Sequence, residues 1–344
     1  MTSYGNHKTD IRSTTGWGSV RKVRYASQIL LLIRYSVRFE GKLHDPEGIR
    51  QMLVEDRVHR EEQRLRGAHL AYRKSAKLRT MLMPLAKDNA SFAVRCGIFS
   101  LRNGTVVPNP SNERILYLWS HDQNTARAKL LQIITNSPYP AYVEFLKRLQ
   151  ALNGEFVVRS LFMRKRDSRL TNTLRKNGFF IDVASFYTIR DLFYDFGLVN
   201  WIYEPEKRCE KLFATCMLNN SGARLFNDHI ALANGRSLYY NKKITTESFI
   251  ETFVECYLEL ARGSWGRWLD VLSLRDLYVD KCRISDYQFN SLISSAIKGK
   301  LDIDLRYATG SFAEPRKYGY SIKAISLPMD QNGIQIKFIM MSKK

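Results

Sequence analysis

The sequence predicts an α+β chain, mainly helical, in which small β-hairpins close helical units. Three observations predict it. Apolar residues recur at helical spacing over much of the chain, as with Tyr142, Phe145, Leu146 and Leu149. After Gly197 the period changes from helical to alternating, and residues 198–203 and 211–216 read as strands. Near the C-terminus Asn332-Gly333 separates two alternating runs, a strong short-range hairpin signal.

The bulk composition bounds what such a chain can be. Its 344 residues are 44% hydrophobic and 12% aromatic. That suffices for two or three packed units and excludes a disordered chain. Lys and Arg total 54 against 33 Asp and Glu, a formal net charge of +21. A compact chain with that surplus repels itself, so an anionic partner is expected. Nucleic acid is the leading class, double-stranded DNA before RNA, with anionic membrane surfaces and ribosomal RNA as competitors. A basic surface that binds nothing is the bland alternative.

The strongest apolar run, residues 29–33, lies between Arg24 and Arg34 and is far too short to cross a bilayer. It also lacks the features of a secretory leader. Five scattered cysteines (Cys96, Cys209, Cys216, Cys256 and Cys282) without a C-x-x-C pair suit reduced thiols in an intracellular protein. A cytoplasmic location is expected, nucleoid-associated in a prokaryote, with no cofactor. Cys209, Cys216 and His229 match no common zinc spacing.

Read in order, residues 1–24 form a polar, Gly-rich arm and residues 25–135 a helical domain. Within that domain, residues 46–87 carry Ile49, Met52, Leu53, Val58, Leu65, Leu70, Leu78 and Leu82 between charges, the pattern of two long amphipathic helices. The breaker-rich stretch 103–112 reads as a loop and a first boundary, and 136–140 as a second. A unit spanning 136–220 follows. Its first helix stops at Asn153-Gly154, and a short apolar stretch covers 156–158. A basic helical run, 164–176, ends at Asn177-Gly178, and a third helix, 185–196, is closed by Gly197. Residues 205–208 supply the turn between its strands.

A last unit, 221–344, begins with the face Phe249, Phe253, Tyr257 and Leu260. A short second helix covers 272–280. Ser285 then N-caps a third, which buries Phe289, Leu292, Ile293 and Ile297. Strands are expected at 320–327 and 334–340.

Three helices followed by a two-stranded hairpin, met over residues 140–218 and again over 245–341, resembles the winged-helix superfamily. The resemblance is in the order of elements and not in a diagnostic motif. It implies DNA binding with the third helix of a unit in the major groove and the wing near the backbone. In the central unit it implies phosphate contacts from Arg159, Arg164, Lys165, Arg166, Arg169, Arg175 and Lys176. Tyr187, Thr188 and Arg190 would lie on the reading helix, and Lys207 and Arg208 at the wing tip. In the C-terminal unit, Gln288 and Asn290 could read adenine, flanked by Asp286, Ser291 and Ser294. Lys298, Lys300, Arg306, Arg316 and Lys317 would meet phosphates. The denser basic cluster favours the central unit for backbone binding.

No phosphate-loop, dinucleotide, zinc-protease or nucleophile-elbow motif is present. A non-enzymatic DNA-binding protein is therefore expected: a regulator, a replication initiator, or the DNA-binding subunit of a larger mobile-element or phage-defence complex. The alternative is a nuclease. Asp302 and Asp304 near Lys323 would serve a metal-dependent form, and the R-x4-H spacing of Arg64 and His69 resembles that of HEPN ribonucleases. A scaffold for an acidic protein is a further alternative. The N-terminal helices would then be the surface for a partner or for homodimerisation.

Overall fold

A computed structural model describes residues 23, 26–42, 92–103, 105–135, 137, 139–152, 155–159, 168–204, 209–219, 229–231, 237–240, 244–300, 304–309, 328, 330, 332 and 334–342. The architecture is α+β, mainly helical, with small antiparallel sheets.

The N-terminal region opens with α1 (Ala26–Arg38), which buries Ile29, Leu30, Leu32 and Ile33 and leaves Arg34 and Arg38 exposed. β1 (Phe99–Arg102) and β2 (Thr105–Pro108) follow as a hairpin, with Arg102 opposite Thr105. The stretch expected to be only a loop thus carries a strand. Asn103 takes φ +52, a left-handed conformation that Asn tolerates better than most residues, and Asn-Gly is the favoured two-residue hairpin turn. α2 (Asn112–His121) begins directly after it and α3 (Gln123–Thr135) follows. Asn112 is buried and donates to Ser36 Oγ and to the Ile98 carbonyl, both at 2.7 Å, which fastens α2 to α1 and to the hairpin.

The central unit comprises α4 (Ala141–Ala151), β3 (Glu155–Arg159), α5 (Ser168–Lys176), α6 (Val183–Asp195), β4 (Val199–Glu204) and β5 (Cys209–Ala214). Its strands form an antiparallel sheet in the order β3-β5-β4. Asp182 caps α6 by accepting from the Ser185 N–H at 2.9 Å. Gly197, at φ +71, ends it, and Leu198 N–H returns to the Phe193 carbonyl at 2.9 Å. Phe145, Phe156, Phe179, Phe186 and Phe193 meet with ring centroids 5.0–6.0 Å apart, a cluster that holds α4, β3, α6 and the turn after α5 together.

The strand expected to run to residue 216 breaks at Thr215, whose backbone N–H and hydroxyl turn back to the carbonyls of Leu198 and Gly197. Beyond it β6 (Cys216–Asn219), β7 (His229–Ala231) and β8 (Ser237–Tyr240) form a further sheet, in the order β6-β8-β7, that alternation had not suggested.

The C-terminal unit comprises α7 (Thr246–Leu260), β9 (Leu269–Asp270), α8 (Val271–Cys282), α9 (Asp286–Ser295), a π-helical turn (Ala296–Lys300), β10 (Leu305–Ala308) and β11 (Phe338–Met341). Thr245, Asp270 and Ser285 cap its three helices. At Ser285 the cap is reciprocal, because Gln288 reaches back to the Ser285 N–H. The chain reverses between Asp330 and Ile334, around the expected turn. Asp330 N–H meets the Ile334 carbonyl and Ile336 N–H the Pro328 carbonyl, both at 2.9 Å. The expected strand at 320–327 lies outside the described residues. β11 begins four residues later than expected, at Phe338, and pairs with β10 and β9.

The two units repeat one topology. Each runs helix, strand, helix, helix, strand, strand, and in each sheet the last strand lies between the other two. They share the central sheet as a wall. Trp201 and Leu212 belong to a core that extends from Val23 to Ala214, across residues 135 and 136. Their neighbours Ile202 and Phe213 belong to the second core, with Phe249, Phe253, Tyr278 and Phe289. Alternation along a strand sends neighbouring residues to opposite faces, so one sheet closes two cores. No helix among the described residues is long and apolar enough to cross a membrane.

Two free thiols, one buried and one half-buried, give the fold an alkaline limit. Burial pushes the thiols of Cys256 and Cys96 up to about 12. The unfolded chain releases these protons near pH 8.5, while the native state keeps them. Stability from this source is complete below that pH and is lost as pH rises towards 12. Cys256→Ala is expected to make the fall of the melting temperature between pH 9 and 11 shallower. An unchanged slope would show that Cys256 ionises normally.

Candidate nucleic-acid interface

α5 carries two of the expected basic residues that the structure leaves on the surface, Arg175 and Lys176. It turns Leu170 and Leu174 into the core and exposes Asn172, Arg175 and Lys176. Its end is a left-handed glycine closure. Gly178 takes φ +78 and Phe179 N–H returns to the Leu174 carbonyl at 2.8 Å. The guanidinium of Arg148, on α4, donates to the Asn177 carbonyl at 2.5 Å and so covers the helix terminus. Arg175 and Lys176 are left projecting, with no carboxylate partner among the described residues, next to Phe180, which is 49% exposed. Arg169 lies earlier on α5 and Arg159 ends β3 opposite Cys209. Arg164, Lys165, Arg166, Lys207, Arg208, Arg316 and Lys317 lie outside the described residues.

The reading-helix role expected for α6 meets a different environment. α6 is buried along almost its whole length, and the Thr188 hydroxyl is turned onto the Ala184 carbonyl. Arg190, expected on a nucleic-acid surface, is only 4% exposed. It pairs with Asp191 at 2.7 Å and with Glu210 at 2.6 Å, between the rings of Tyr187 and Trp201. Burial works against its charge, but the carboxylates of Asp191 and Glu210 outweigh it and hold the guanidinium above its ordinary value. The reason for the correction is tertiary: β5 brings Glu210 beneath α6 and makes Arg190 an internal counter-ion.

α9 is likewise compromised as a reader at its start. Asp286, its first residue, is 1% exposed. It accepts from Tyr194 Oη at 2.5 Å and Asn200 Nδ2 at 2.7 Å, and pairs with the fully buried Arg275 at 3.2 Å. Burial opposes the Arg275 charge, and Asp286 more than restores it. Around this seam, Asp195 accepts from Tyr287 Oη at 3.3 Å and from the Ala26 N–H at 2.7 Å. The Arg127 guanidinium lies 4.9 Å from the Tyr287 ring centroid. Gln288 is half-buried and engaged in the cap, and Asn290 is half-buried on the same helix. Ser291 and Lys298 are exposed, and Lys300 ends the π-helical turn.

Arg306 is exposed on β10, and Arg34, Arg38, Lys42, Arg95 and Arg102 are exposed in the N-terminal region. Arg38 and Lys42 both lie over the Phe39 ring, at 5.6 and 5.7 Å. Lys42 is joined to the β1-β2 hairpin through the Val106 N–H. The breakers of 103–112 favour a loop and hide this basic group, although Asn103-Gly104 carries the same hairpin signal as Asn332-Gly333. One face is of opposite sign. Glu247, Glu251, Glu255 and Glu259 recur every four residues on the exposed side of α7, where phosphates are repelled.

Asp304 is half-buried, while Asp302, Lys323, Arg64 and His69 lie outside the described residues. Among the described residues no group of three or more His, Cys, Asp or Glu is placed to hold a metal ion. Neither a protein-family model, nor a curated protein, nor a solved structure matches this chain.

Proposed function

We propose that this chain is a non-enzymatic double-stranded DNA-binding protein that grips the phosphate backbone through two joined winged-helix units. The observation that carries the reading is the repeated order of helix, strand, helix, helix, strand, strand, with the last strand central in both sheets. The formal charge of +21 supports an anionic partner. Arg175 and Lys176 are exposed cations of the kind that suits phosphate oxygens.

The same geometry favours backbone contact over base reading. α6 has little free surface, and α9 begins inside the seam. Helices that read bases place the residues of their N-terminal turns at the groove floor. With those turns enclosed, affinity comes from phosphate neutralisation, which carries little sequence information. The exposed carboxylates of α7 repel phosphates and do not suit a backbone contact.

Binding of the full chain to labelled duplex across a salt series tests this. The affinity is expected to fall steeply as salt rises. Arg175→Gln with Lys176→Gln should flatten the slope of log affinity against log salt by about 2, since each phosphate contact contributes about 0.9. Absence of duplex binding at low salt would overturn the proposal.

A further inference from the structure

Between α7 and β9 the residues Arg262, Gly263, Ser264, Trp265, Gly266, Arg267 and Trp268 are all exposed. Two indoles are part-exposed, Trp265 at 38% and Trp268 at 47%, although each could bury a large apolar area. Arg262 and Arg267 alternate with them and have no carboxylate partner among the described residues.

The loop is held firmly at its base. Gly263 N–H returns to the Leu258 carbonyl at 2.8 Å, and Ser264 N–H to the Ala261 carbonyl at 3.2 Å. Gly266 N–H bonds the Met341 carbonyl at 2.8 Å, which ties the loop to β11. The Tyr257 hydroxyl accepts from the Arg267 N–H at 2.9 Å and donates to the Arg267 carbonyl at 2.6 Å. Trp265 leans on the Tyr257 ring, with centroids 6.2 Å apart. Gly263 and Gly266, both at φ +76, face open space, so the loop surface can be approached closely. Arg306 lies opposite Met340, one residue from the carbonyl that receives Gly266, and adds a third exposed cation at this end of the sheet.

We propose that residues 262–268 are a stacking platform for unpaired nucleobases. The indole faces take the bases, and Arg262 and Arg267 neutralise the flanking phosphates. Every base has a π-face, so such a platform accepts a single strand irrespective of sequence. In a duplex those faces are hidden in the stack and the indoles would have nothing to engage. The anchored backbone limits the ordering cost of binding. This rests on the nucleic-acid reading above but uses a different surface and a different strand state.

The test measures full-chain affinity for a labelled oligothymidine of about 20 nucleotides, longer than a typical single-strand site, and for a duplex. It compares the wild type with Trp265→Ala, Trp268→Ala and the double variant, with anionic vesicles as a third probe. The double variant should bind oligothymidine about tenfold or more weakly, while its duplex affinity stays within about twofold. Trp265→Phe with Trp268→Phe should recover most of the loss, which a merely structural role of the indoles would not require. Melting curves check that each variant is folded. Equal oligothymidine affinity in the wild type and double variant overturns the platform, as does indole-dependent binding to vesicles but not to oligothymidine. Duplex binding without oligothymidine binding removes the platform and leaves the duplex proposal standing. Indole-dependent oligothymidine binding without duplex binding does the reverse.

Discussion

Asp286→Asn is expected to lower the stability of the chain by about 3–5 kcal/mol, measured by urea unfolding with an unchanged denaturant slope. Asp286 is the carboxylate at which the two units meet, 1% exposed and paired with the fully buried Arg275. The amide keeps the volume but removes the counter-charge. Guanidinium does not release its proton in a protein, so Arg275 would remain a buried cation without its partner carboxylate. Arg275→Met is expected to cost less. Asp286 would still accept from Tyr194 Oη and Asn200 Nδ2, and methionine fills part of the space with apolar atoms. The order of the two costs is the sharper check. A loss below 1 kcal/mol in Asp286→Asn would mean that the seam is not closed by this pair.

Arg190→Met is expected to cost a similar amount, about 3–5 kcal/mol, because it removes the guanidinium that two buried carboxylates share. Asp191 and Glu210 are 3% and 1% exposed, and the guanidinium between them is their shared counter-ion. Adding Glu210→Gln should recover part of the loss, and the double-mutant cycle would give the coupling directly. The same variant separates two placements of Arg190. As an internal ion pair its loss leaves the salt slope of duplex binding unchanged, whereas a phosphate contact would take about 1 from that slope. A stable Arg190→Met protein with a flatter slope would return Arg190 to the surface.

Much of the fold was legible where the signal is local. The helices over 141–151, 183–195, 246–260, 271–282 and 286–295 follow apolar residues at helical spacing. Ser285 was identifiable as a cap from its own side chain, and Gly178 and Gly197 as stops from their freedom at positive φ. The missed elements lacked such cues or were outvoted by others. β9 is two residues long, too short for alternation to show. The β1-β2 hairpin is masked by the Pro and Asn residues within and after it, which make up half of 103–112. The sheet of β6, β7 and β8 follows a break at Thr215 that depends on contacts with Gly197 and Leu198.

The candidate site divides along the same line. That Arg175 and Lys176 end a basic helix can be read from the residues 164–178 alone, since one helix face is apolar and the next two positions are glycine and its partner asparagine. Periodicity could not reveal that Arg190 is internal, because its position on α6 alternates with apolar residues as a surface arginine would. Nor did the residues 262–268 stand out, because a short run of Arg, Gly and Trp reads equally well as a buried turn.

Period, local hydrogen bonding and composition were enough for the mainly helical α+β class, the helix caps and stops, the chain reversal near Asn332 and the basic balance. Each of these is fixed by period, by hydrogen bonds over three or four residues, or by composition. Only the tertiary structure decided which charges face water. Asp286 meets Tyr194 across 92 residues of chain, and Arg190 meets Glu210 across 20. Burial of a charge is set by such distant partners, whose approach costs chain entropy and is repaid only when the whole core closes.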